Sequence, residues 1–100
     1  MYYEEDAKIM SDLAEEIEAL GMPLVLFRKF NSIVGAITVQ IEDEHTCPRV
    51  VDTLFNALEQ LSEEIRQPER DTLLALASAG RQMVMQRLQK RDRTGKPAGP

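Results

Sequence analysis

Apolar positions recur with a helical period at both ends of this chain and with a strand-like period between them. Over EEDAKIMSDLAEEIEALG, Ile9, Leu13, Ile17 and Leu20 fall three or four residues apart, with Met10 and Ala14 beside them. Glu15, Glu16 and Glu18 occupy the opposite side. Glu4, Glu5 and Asp6 sit where carboxylates favour the positive end of a helix. Gly21 suits a left-handed terminating residue, and Pro23 blocks continuation. The pattern predicts a first helix over residues 4–20.

From Pro23 the pattern changes. Residues 24–30 and 33–41 are rich in strand formers, and Asn31 and Ser32 between them are turn residues. In the second run Ile33, Gly35, Ile37, Val39 and Ile41 share one face, while Val34, Ala36, Thr38 and Gln40 share the other. A short antiparallel hairpin is predicted. Because an isolated two-stranded ribbon is marginal, it must lie on helices.

Helical periodicity resumes after Thr46. Val51, Leu54, Leu58, Leu61 and Ile65 form an apolar ladder that Val50 and Phe55 widen. Pro68 suits the first position of a last helix to about Lys90, with Leu73, Leu76 or Ala77, Gly80, Val84 and Leu88 inward. The small-residue run ALASAG in it points to a close helix crossing. The predicted fold class is α+β, in the order α-β-β-α-α, with the hairpin packed against three helices. An all-helical fold is the alternative, since short apolar runs satisfy both periods. Residues 1–92 read as one small domain and 93–100 as a flexible, basic, Gly- and Pro-containing tail.

Composition narrows the function. One hundred residues hold one modest core, and seventeen acids against twelve bases give a net charge of -5. That argues against a general polyanion binder. A single cysteine forms no intrachain disulfide, so a reducing, cytoplasmic setting is expected. The acidic start MYYEEDAK is unlike a secretory leader, and no run is expected to reach the length of a bilayer span. Charge is uneven: residues 1–22 carry seven acids and one base, residues 68–100 seven bases and three acids.

The candidate chemistry gathers in EDEHTCPRVVD, which holds the only histidine, His45, and the only cysteine, Cys47, near Glu42, Asp43, Glu44 and Asp52. An imidazole and a thiolate could ligate a metal, or work as a nucleophile and base. Two soft ligands are too few for a closed zinc site, however, and no second histidine, CxxC or HExxH is present. The structural account is a helix start: Thr46 as cap to the Arg49 amide, Pro48 in the first turn, and Cys47 as a small buried group. Carboxylate pairs such as Glu15 with Glu18 or Glu59 with Glu63 read as solvated faces. No Walker or dinucleotide glycine motif occurs, and Gly35 reads as a packing or bulge residue. No catalytic residue, metal or cofactor is expected.

Two function classes remain. A non-enzymatic protein-interaction or regulatory module, forming a homodimer, would use the Val51, Leu54, Leu58, Leu61 and Ile65 stripe or the hairpin edges. The alternative is a nucleic-acid-binding regulator using Arg81, Arg87, Lys90, Arg91, Arg93 and Lys96 as phosphate contacts. Against it stand an acidic remainder and the lack of a recognition motif.

Overall fold

The computed structural model describes residues 4–43 and 45–94. Among them lie four helices: α1 (Glu4–Ala19), α2 (Leu24–Glu42), α3 (Pro48–Ser62) and α4 (Glu69–Thr94). α1 packs on α2 and α4, and α3 packs on the same two. This closed ring of sequential neighbours is an up-down-up-down bundle. Residues 95–100, most of the expected tail, lie outside the described residues.

The α+β expectation is overturned: the two expected strands are one helix, α2, and no strand occurs among the described residues. The reason is a coincidence of periods. A step of four residues satisfies both the strand period of two and the helix period of 3.6. Ile33, Ile37 and Ile41 therefore fit either. Phe30, Val34, Ile37 and Ile41 decide it. All four are buried, at steps of four, three and four. A strand would put Phe30 and Ile37 on opposite faces; a helix puts both on one. Asn31 and Ser32 lie on the exposed side of α2 and make no turn. Burial of that aromatic and aliphatic row outweighs the weaker helix propensity of Val, Ile and Thr. Thr38 adapts by donating its hydroxyl to the Val34 carbonyl at 2.8 Å.

The α1–α2 connection follows the sequence closely. Gly21 takes a positive φ of 71°, and its amide donates to the Glu18 carbonyl at 3.1 Å. Pro23 then precedes the first residue of α2, and its carbonyl accepts the Phe27 amide at 2.9 Å. The start of α3 departs from expectation in two details. Cys47 is the N-cap, without a side-chain capping bond, and the Thr46 hydroxyl donates to Gln40 Oε1 at 3.0 Å instead. Cys47 is also exposed rather than buried. Pro48 does occupy the first turn.

Turning the ribbon into a helix changes what α3 needs. Its apolar ladder is now flanked by α2 and α4, so Val51, Phe55 and Leu58 are buried in the common core. Ser62 is buried among them and donates to the Leu58 carbonyl at 2.9 Å. On α4, Leu73, Ala77, Val84 and Leu88 face inward. Gly80 lies between them, buried where a Cβ would come within 3.4 Å of Leu13 Cδ2 and 3.7 Å of Phe55 Cε1. The small run therefore does bring α4 close to its neighbours.

Candidate interaction surface

The stripe predicted to form an interface points into the molecule. Val51, Leu58, Leu61 and Ile65 are buried within the single chain, and Leu54 is partly buried against the same core. The hairpin edges offered as the other surface do not exist, because their residues belong to α2.

Half of the predicted phosphate contacts are committed to carboxylates. Arg81 reaches across from α4 to three successive turns of α3. Its Nε donates to Asp52 Oδ1 at 2.8 Å, its Nη2 to Asn56 Oδ1 at 3.0 Å and its Nη1 to Glu59 Oε2 at 3.1 Å. The hydrogen bond to Asp52 raises the Arg81 pKa, as does attraction from Asp52 and Glu59, against an opposing effect of desolvation. Arg87 and Arg91, one turn apart on α4, converge on Asp6 of α1. Arg91 Nη2 lies 2.9 Å from Asp6 Oδ2, and Arg87 Nε lies 3.5 Å from Oδ1. The Asp6 side chain is only 9% exposed. Lys90 is exposed. The side chains of Arg93 and Lys96 lie outside the described residues. Thus three of the six proposed contacts are internal ties. The opposite charges of the two chain ends are used to fasten α1 to α4.

The EDEHTCPRVVD stretch runs from the last residue of α2 to Asp52 in α3. His45 and Cys47 are both exposed, and the His45 amide donates to Asp43 Oδ1 at 2.9 Å in a local turn. Among the described residues, no group of three or more His, Cys, Asp or Glu is placed to hold a metal ion.

One surface escaped the sequence reading. The outer side of α2, opposite its core row, carries Val25, Arg28, Ser32, Gly35, Val39 and Glu42 at steps of three, four, three, four and three, all exposed. That is the spacing of a coiled-coil seam. Val25 is 68% exposed, Val39 64% and the adjoining Leu24 61%. Gly35 and Ala36 at its middle carry little side chain, and a Cβ on Gly35 would meet nothing within 4 Å. The seam is legible in the sequence only once residues 24–42 are taken as one helix. The same helix corrects a second expectation: by length and composition alone α2 is apolar enough to cross a membrane. Its inner row is nevertheless covered by α1 and α3, which leaves Val25 and Val39 of the outer row, with Leu24 beside them, as its exposed apolar side chains. Comparison of the chain with protein-family models, with curated proteins and with solved structures returns no match.

Proposed function

We propose that this protein is a cytoplasmic, non-enzymatic interaction module that acts as a homodimer, with the outer seam of α2 against the same seam of a second copy. The observation that carries the proposal is the seam itself, with Val25 and Val39 each more than 60% exposed on a helix whose other side is buried. Isolated surface valines need no explanation, but a row at coiled-coil spacing is a surface suited to a partner.

An antiparallel pairing centred on Gly35 suits the charges. It sets Arg28 of each copy opposite Glu42 of the other and Ser32 beside Val39 of the other, with Val25 at the two ends of the contact, past the last turn of the other α2. The small residues at 35 and 36 lie at the crossing, where they let two backbones approach. A parallel pairing would oppose Arg28 to Arg28 and Glu42 to Glu42.

Sedimentation velocity tests the proposal. The parent chain is expected to be dimeric at about 100 μM, roughly a hundredfold above a typical ~1 μM transient affinity. Val39→Glu should give a folded monomer. Arg28→Glu and Glu42→Arg should each weaken the dimer, and the double exchange should restore it. A parent that stays monomeric at that concentration defeats the proposal. So does flotation of the parent with lipid vesicles, if Val39→Glu abolishes it, because the seam would then serve a membrane surface. Retention of DNA or RNA that falls steeply with salt would favour the nucleic-acid alternative.

A further inference from the structure

A second surface, on α1 and α4, has a different chemistry. Between these helices runs a groove of about 460 Å³. Its apolar wall comprises Ile9 and Leu13 from α1 and Leu76 and Met83 from α4. Met83 is 52% exposed, although it lies beside Val84 of the core. The groove is deepened by Ala79 and Gly80, which leave little side chain on the α4 side. Its rim on α1 is Asp12, Glu15 and Glu16, all exposed, and among the described residues no basic side chain lines it. Lys8 lies one turn before Asp12 and can offset one of the three carboxylates. Arg81, Arg87 and Arg91 of α4 reach Asp52, Asn56, Glu59 and Asp6 rather than this rim.

We infer that this groove binds a cationic amphipathic helix of a partner protein. Three features match that occupant. An apolar trough between two helices receives the i, i+3 or i+4, i+7 anchors of a third. A methionine at its mouth adapts to anchors of different shape. The one-sided acidic rim covers just over a helical turn, about 6 Å along α1, and so meets lysines or arginines spaced three or four apart on the incoming helix. An acidic or neutral helix would leave those carboxylates without partners at the edge of a desolvated contact. The α2 seam carries Arg28 as well as Glu42 and has no such one-signed rim, so the two surfaces select different partners.

A labelled synthetic peptide of about 18 residues, with leucines on one helical face and lysines on the other, is the probe. Fluorescence anisotropy at moderate salt should give a dissociation constant in the range of about 1–50 μM. A peptide of the same composition, scrambled to destroy the apolar face, should bind at least about tenfold more weakly. Asp12→Lys with Glu16→Lys should weaken binding by about tenfold or more. Glu63→Lys with Glu64→Lys makes the same change in net charge away from the groove and should leave affinity within about twofold. Ala79→Trp, which fills the trough from an exposed position, should also abolish binding. All five substituted sites are exposed, and circular dichroism checks that each variant remains helical. Equal weakening by the two double reversals, equal binding of the scrambled peptide, or no binding by the parent would each overturn the inference. The Val39→Glu variant should bind the peptide as the parent does, so this test stands or fails separately from the α2 dimer.

Discussion

Leu58 is 1% exposed, in the middle of the stripe that the sequence offers both as core and as interface. Truncation to alanine removes buried carbons and leaves a cavity that the bundle only partly fills, at a cost of about 2–5 kcal/mol. Taking about 3 kcal/mol, and about 4–8 °C per kcal/mol for a domain of this size, the melting temperature should fall by about 12–24 °C. Leu58→Glu should be worse. It loses the same packing and also forces a carboxylate into the hydrophobic core, at several further kcal/mol. Set against a total stability of about 5–15 kcal/mol, that is enough to unfold the chain. Val39→Glu is the matched control: the same introduced charge, but at 64% exposure, where the effect on folding should stay within about 0.5 kcal/mol. Far-ultraviolet circular dichroism melts and sedimentation velocity on the parent and the three variants separate these outcomes. A folded, monomeric Leu58→Glu derived from a dimeric parent would refute the reasoning, because the stripe would then be an interface and not a core.

The remaining predictions concern the ties between helices. Asp6→Ala should destabilise the bundle by about 2–4 kcal/mol, because it removes the carboxylate that the largely buried Arg91 and the adjoining Arg87 share; Asp6→Ala combined with Arg91→Met should recover part of the loss in a urea titration. Arg81→Met should cost about 1–2 kcal/mol, since its partners are only partly buried and each exposed pair contributes little. Its raised pKa keeps Arg81 protonated, so its contribution is lost only in strong alkali; the cost of Arg81→Met should be the same at about pH 7 and about pH 10 by chemical denaturation. Cys47→Ala and His45→Ala should leave the melting temperature within about 3 °C and the metal content by elemental analysis unchanged, since both side chains are exposed; stoichiometric zinc or iron that is lost in either variant would refute this.

Local signals in the chain determine its punctuation. Gly21 and Pro23 end one helix and open the next, Pro48 starts the third, and the acids at 69 and 71 mark the fourth, each through the conformational limits of its own residue. The ladder from Val51 to Leu61 and the Leu73, Ala77, Val84, Leu88 row also declare their helices, because their spacing fits only the period of 3.6, whereas Ile65 keeps the spacing but lies beyond the end of α3. Residues 24–41 were not decidable in that way. Isoleucines four apart obey both periods, and the β-branched content favours the wrong one. What decided them was the bundle: a 19-residue helix supplies the second flank that α3 requires, which a two-stranded ribbon would not. The same choice set the functional surfaces. Once α2 is a helix, the α3 stripe becomes interior, Val25 and Val39 turn outward, and α1 lies antiparallel to α4. That last arrangement brings Asp6 to Arg91, 85 residues away in sequence, and opens the acid-rimmed groove beside them. Charge composition showed that the chain ends could attract. Only the packing of α1 on α4 determined which arginines are used up in that attraction, because pairing depends on distances that no local pattern contains.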